Sequence, residues 1–130
     1  MDSGAEAVTS QLVRLALDAA SMRHRLIAGN IANAHSEGFR PRRLDFERQL
    51  AGAREVLLDR TQVASSSRAL SAVRPTLAYD NVGPVGERQG VRVDEQMALL
   101  AMNTLHYQAL TTALNKKIAI LAAAISGGGR

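Results

Sequence analysis

Two apolar patterns with the same spacing occupy the two ends of this 130-residue chain. In each pattern, apolar or small side chains recur at alternating intervals of four and three, from Val8 to Asn33 and from Met97 to Ile125. This heptad spacing keeps one stripe of a helix turned toward a partner helix. The sequence therefore predicts two long helices, over about residues 5–34 and from residue 93 to the glycines at 127–129, whose stripes pack against each other.

The two stripes are defined by their residues. The N-terminal stripe comprises Val8, Leu12, Leu15, Ala19, Met22, Leu26, Gly29 and Asn33. The C-terminal stripe comprises Met97, Leu100, Thr104, Tyr107, Thr111, Leu114, Ile118, Leu121 and Ile125. Apolar residues beside each stripe remain for packing on other subunits, so we interpret the stripes and their flanks as an assembly surface.

Composition supports a helical fold. Hydrophobic residues make up 46% of the chain but aromatic residues only 3%, so the core lacks large rings. Helices packed on helices suit such a composition better than a thick independent core. The predicted fold class is all-α: a coiled-coil-like hairpin of two long helices joined by an irregular middle segment, within one structural domain.

The middle segment, residues 37–92, separates an N-terminal helical segment, 1–36, from a C-terminal one, 93–130. Asp45 is a predicted N-cap for a short helix near 45–59. Residues 61–92 are rich in turn formers, including Pro84 and the glycines from 83 to 90, and we expect mobility there. Within them, residues 72–73 and 76–79 have the composition of short strands, while residues 1–7 are small and polar and predicted to be disordered.

The first helix ends in a polar turn, Asn30-Ile31-Ala32-Asn33-Ala34-His35-Ser36-Glu37-Gly38-Phe39. Asn30 and Asn33 are three residues apart and share a helix face. Gly38 can take the positive φ of a sharp chain reversal. We interpret the two amides as residues that fix the pairing register of the helices, as polar residues in coiled coils do.

The sequence favours a structural function over a catalytic one. No catalytic, metal-binding or cofactor-binding spacing is present: His24, His35 and His106 are isolated, and there is no cysteine. The net charge of +4 comes mainly from arginines in the middle segment, where a solvated surface is a better interpretation than a nucleic-acid site. Neither a cleavable signal peptide nor a run of 18 apolar residues is found, so we expect no membrane span.

The polar turn resembles the N-terminal signature of bacterial flagellar rod, hook and hook-junction proteins. The resemblance rests on Asn30-Ile31-Ala32-Asn33 and on Gly38-Phe39; Ser36-Glu37 stands where the family has Thr-Pro, and Phe39 where it has Tyr. Short proximal rod members of that family are similar at further positions. These are Asp45-Phe46, Val93-Asp94-Glu95, Tyr107-Gln108 and Lys116-Lys117.

The resemblance implies a subunit of the periplasmic rod that polymerises through its terminal helices. It implies export through the flagellar type III apparatus, with an uncleaved signal in residues 1–30. Phe46 and Leu50 resemble the element that the export gate recognises in rod and hook proteins. The implied partners are other copies, other rod proteins, ring and adaptor proteins at the rod base, and the export gate. The alternatives are another proximal rod subunit, a helical adaptor or export chaperone, a basic nucleic-acid-associated protein and, least favoured, an enzyme.

Overall fold

The computed structural model of the chain describes residues 3–58, 63–80 and 90–127. Its elements, in chain order, are α1 (Ser3–Ala32), β1 (Arg42–Asp45), α2 (Glu47–Leu58), α3 (Val63–Ala72), β2 (Thr76–Tyr79) and α4 (Val93–Gly127). The all-α prediction with two long paired helices is confirmed. The predicted turn residues at 81–89 and the last two of the three terminal glycines lie outside the described residues.

The helix α1 lies between two layers. The two-stranded antiparallel sheet of β1 and β2, together with α2 and α3, packs on one side of it, and α4 packs on another. The two long helices run antiparallel, because the end of α1 meets the start of α4 and the start of α1 meets the later half of α4. In the sheet, Arg42 is opposite Tyr79 and Leu44 is opposite Leu77.

The apolar core forms between α1 and the middle segment. Ala19, Leu44, Phe46, Ala53 and Val73 are buried together, and further apolar side chains pack around them. Those from α1 are Leu15, Met22 and Leu26, and those from α2 and α3 are Leu50, Leu57 and Ala69. The expectation that the N-terminal stripe packs on the C-terminal helix is therefore wrong for these α1 residues, whose apolar partners come from the middle segment.

The middle segment contains more regular structure than expected. The predicted helix near 45–59 is present as α2, but Asp45 ends β1 instead of capping the helix, and it forms an ion pair with Arg48. The helix α3 and the strand β1 were not predicted, whereas the strand at 76–79 was. The strand expected at 72–73 is wrong, because Ala72 is the last residue of α3. Residues 3–7, expected to be disordered, form the first turns of α1.

Candidate assembly surface

Three polar side chains of α4 contact α1. They are Gln96, Asn103 and Lys117, which are separated by one and then two heptads. Gln96 and Asn103 are the two buried residues within the 35 residues of α4. The two fully buried side chains of this mainly apolar helix are thus polar. We call these three contacts the polar ladder.

The first contact of the ladder centres on Asn30, which is buried to 2% exposure. Its Nδ2 donates to the carbonyl oxygen of Arg42 at 2.8 Å and to Oε1 of Gln96 at 3.0 Å, while its Oδ1 accepts from the Arg42 N–H at 2.9 Å. The Asn30 amide thus pairs with the backbone of β1 as a neighbouring strand would. The Asn30 side chain thus joins α1, the two-stranded sheet and α4.

The second contact lies near the middle of α1. Asn103 Nδ2 donates to the carbonyl oxygen of Ala20 at 2.9 Å, and Arg23 Nη1 approaches Asn103 Oδ1 at 3.5 Å. Arg23 also forms an ion pair with Glu47 at the start of α2. The contact therefore connects α4 through α1 to the middle segment.

The third contact fixes the start of α1 to the later half of α4. Lys117 Nζ donates to Ser10 Oγ at 2.7 Å and to the carbonyl oxygen of Glu6 at 3.2 Å, and lies 4.0 Å from Glu6 Oε1. A half-buried ammonium with three oxygen neighbours has a defined position along its partner helix. With the first two contacts it sets a single register for the two long helices.

The polar ladder rotates α4 relative to the prediction. Leu100 and Leu114 of the C-terminal stripe are half-buried, but five other apolar members of that stripe are exposed. These are Met97, Tyr107, Ile118, Leu121 and Ile125. The expectation that this stripe packs on α1 as a whole is wrong, because Gln96, Asn103 and Lys117 take the places expected of their neighbours Met97, Thr104 and Ile118.

The exposed surface of α4 therefore carries large apolar side chains in two stretches, residues 97–107 and 118–125. Besides the five stripe residues, four large apolar side chains of its interior are exposed, namely Leu99, Met102, Leu105 and Ile120. Ile120 and Ile125 are 69% and 81% exposed. Groups of exposed apolar side chains, as opposed to scattered single ones, mark sites of association in folded proteins. We call this surface of α4 the apolar face.

The two asparagines of the polar turn have different environments. Asn33 Nδ2 donates to the carbonyl oxygen of Gly29 at 2.8 Å, within the end of α1, so Asn33 makes a local contact and Asn30 the tertiary ones. Gly38 has a φ of 72°, as its position in the turn predicted. Ile31 and Phe39 are half-buried and Ala32 is exposed.

The remaining predicted residues lie in or near the core. Phe46 is buried and Leu50 is half-buried against it, which gives both a packing function in the folded chain. Val8 and Leu12 of the N-terminal stripe are half-buried. Their functions in export and assembly stay predictions.

Sequence reasoning missed the polar ladder. The sequence feature that could have revealed it is the spacing of Gln96, Asn103 and Lys117 by whole heptads in a mainly apolar helix. The neighbouring apolar stripe has the same spacing and was chosen as the buried side. The three histidines are exposed, and residues 3–58, 63–80 and 90–127 contain no group of three acidic, histidine or cysteine side chains placed to hold a metal ion.

Comparison with known proteins relates the chain to a flagellar protein. No protein-family model matches the chain. The chain is 33% identical over 107 residues to the flagellar basal body rod protein FlgB of Cereibacter sphaeroides. The match covers 81% of this chain and 84% of the relative, so it includes most of both proteins.

Proposed function

The chain belongs to the family of flagellar basal body rod proteins, and we propose that it is a structural subunit of the proximal rod, corresponding to FlgB. It works by association with copies of itself and with other rod proteins, and it performs no chemical reaction. Its place is the periplasmic part of the basal body. At the rod base it contacts the neighbouring ring and adaptor proteins.

The apolar face of α4 is the observation that carries this proposal. A helix that fully buries only Gln96 and Asn103 within its own chain leaves much of its apolar surface uncovered. Burying its exposed apolar surface contributes about 25 cal/mol per Å² when a neighbouring molecule covers it. A subunit of a polymer obtains such neighbours on several sides, through heterologous contacts that continue along the rod.

Export fits the way in which the two long helices are held. We propose that residues 1–30 carry an uncleaved type III export signal and that the export gate binds Phe46 and Leu50 in the unfolded chain. Phe46 is 5% exposed after folding, so the gate has access to it only before the core forms. Folding in the periplasm then buries the element and prevents its return to the gate.

A membrane-associated α4 is the competing interpretation. Among the described helices, α4 is long and apolar enough to cross a membrane by length and composition, and none of its most apolar stretch is buried. Its contacts with α1 through Asn103 and Lys117 favour a protein neighbour, because a spanning helix would have to carry Lys117 into the lipid. The expectation that nothing spans a membrane stays a prediction.

The experiment compares exposed apolar residues of α4 and α2. The double variant Ile118→Asn with Ile125→Asn changes side chains that are 55% and 81% exposed, so the monomer should keep its stability. Leu58→Asn on α2, at 68% exposure, is the control. In a deletion strain complemented with each variant, we expect the double variant to abolish motility and complete rods, and Leu58→Asn to retain both.

Two outcomes contradict the proposal. Complete rods in the deletion strain would show that the chain is not a rod subunit. Normal motility with the double variant would show that the apolar face of α4 is not the assembly surface. Sedimentation of the purified chain at rising concentration provides a second measurement, in which the wild type associates and the double variant does not.

A further inference from the structure

Among the described residues, the outer edge of β2 is another surface without a partner. In an antiparallel pair, successive residues point their backbone groups alternately toward and away from the neighbouring strand. Asp80 N–H donates to the Pro41 carbonyl, while the N–H and C=O of Arg42 both bind the Asn30 side chain. Since Arg42 is opposite Tyr79, the backbone groups of Tyr79 and Leu77 point away from β1.

These backbone groups have no partner within the part of the chain that the structure describes. The two edges of the sheet therefore differ: Asn30 covers β1 at Arg42, whereas β2 presents two N–H and two C=O groups that no described residue binds. Leu77 and Tyr79 also expose 55% and 54% of their surface. An exposed strand edge with apolar side chains is a template for an added strand.

A cationic groove begins where this edge ends. It has a volume of about 320 Å³ and is lined by Gly38, Phe39, Arg40, Arg42 and Tyr79. The Arg40 guanidinium lies 4.6 Å from the centre of the Tyr79 ring. Tyr79 thus belongs to both the groove and the strand edge, which makes the two surfaces continuous.

The charge of the groove is not neutralised by the described residues. Arg43, on the other face of the sheet, pairs with Asp80 at 3.5 Å, but no described acidic side chain lies within ion-pair distance of Arg40 or Arg42. Two exposed guanidiniums beside this strand edge attract carboxylates, because each guanidinium can donate two N–H groups to one carboxylate.

We propose that β2 and this groove bind an extended acidic segment of a partner protein, which adds to the two-stranded sheet as a third strand. The backbone of the segment pairs with Leu77 and Tyr79, its apolar side chains cover those two residues, and its carboxylates bind Arg40 and Arg42. This binding site lies on the sheet of β1 and β2 and not on α4, so it does not depend on the rod function.

The test uses the full chain and a synthetic peptide, acetyl-Glu-Ser-Glu-Ser-Leu-Ser-Val-Ser-amide, whose glutamates and apolar side chains share one face of an extended strand. A lysine-for-glutamate peptide is its control. Hydrogen exchange measured by NMR should slow at the amides of Leu77 and Tyr79 when the acidic peptide binds, and stay unchanged at Ala78, which already pairs with Arg43. The lysine peptide should give no protection. Binding should weaken as salt is raised.

Two pairs of variants separate the backbone from the charges. Leu77→Pro removes the outward N–H and should weaken binding by about 2- to 12-fold relative to Leu77→Ala, which keeps it. Arg40→Gln and Arg42→Gln should each weaken binding by about 1.5- to 5-fold. The control Arg54→Gln on α2 makes the same charge change away from the groove and should leave the affinity unaltered.

Three results would overturn the proposal. The first is failure of the acidic peptide to bind, and the second is binding that Leu77→Pro and the arginine variants do not weaken. The third is a dimer of the chain that Leu77→Pro dissociates and the acidic peptide does not displace, because the occupant of the edge would then be a second copy. Motility of the Ile118 and Ile125 double variant tests the rod proposal separately, since it leaves β2 unchanged.

Discussion

The two interfaces of α1 are built from different kinds of side chain. Toward the middle segment, Leu15, Met22 and Leu26 pack against buried apolar residues, including Phe46. Toward α4, the buried contacts are the hydrogen bonds of Gln96 and Asn103. Apolar packing supplies most of the free energy of folding, whereas buried hydrogen bonds add little net stability but restrict geometry. The difference indicates that one interface stabilises the subunit and the other sets the register of its two long helices.

The largest expected effect is on the apolar side. Phe46→Ala opens a cavity in the core cluster and should lower the free energy of unfolding by about 3–5 kcal/mol, measured by urea denaturation followed by circular dichroism. That is a large part of the stability of a small domain. Leu58→Ala, at an exposed position of the adjoining helix, should change it by less than about 0.5 kcal/mol. Equal effects of the two variants would contradict the assignment of the core to this interface.

The next effect tests the residue that belongs to both interfaces. Asn30→Ala leaves the N–H and C=O of Arg42 and the amide of Gln96 without their partner, and should lower the free energy of unfolding by about 2–4 kcal/mol. Asn33→Ala is the matched control. It should cost at most about 0.5 kcal/mol, because the Gly29 carbonyl keeps its bond from the Asn33 N–H. Faster exchange of the Arg42 amide in the Asn30 variant alone would locate the effect.

The polar side should respond in specificity more than in stability. Asn103→Leu removes one bond to the Ala20 carbonyl and adds an apolar side chain, so we expect a change within about 1 kcal/mol. Polar residues at such positions select one register among several. The NMR spectrum of the variant should therefore contain more than one set of α4 amide signals. Thr104→Leu, at the adjacent exposed position, should retain a single set. A single set in both variants would mean that Asn103 does not specify the register.

The long helices were predictable from sequence, but their orientation was not. Heptad spacing identifies which face of α1 is apolar, and on that face Ala19 is buried and the other stripe residues are half-buried. It does not identify the partner, and Leu44, Phe46 and Val73 provided a better apolar partner than α4. On α4, a shift of one residue turns the helix by about 100°, so Gln96 faces α1 where Met97 was expected.

The middle segment shows a second limit of sequence reasoning. The serines at 65–67 look like a linker, yet Ser66 is buried and donates to the Val56 carbonyl, and Ser67 bonds with Gln11 of α1. β1 contains a single apolar residue, Leu44, and is held by β2 and by the Asn30 amide. Tertiary hydrogen bonds stabilise both elements, and short-range patterns do not report them. For the same reason, the sequence did not reveal that the polar ladder leaves the apolar face of α4 exposed.

The smallest effect concerns the start of α4, from which Gln96 reaches Asn30. A hydrogen bond from the Glu95 N–H lowers the pKa of Asp94 below its usual 3.8, and the Arg92 guanidinium adds to this. Because the pKa is lower in the folded chain, the carboxylate stabilises the first turn above pH 3.8, and this contribution is lost as the pH falls through the lowered pKa. The Glu95 amide signal should shift in that range in an NMR titration, together with weaker protection of the Gln96 contact. Asp94→Asn, which can still accept the bond but has no charge, should not show the transition. If Gln96 and the apolar core respond to the same titration in the same way, the two interfaces of α1 form one cooperative unit and their separation into stabilising and register-setting sides is wrong.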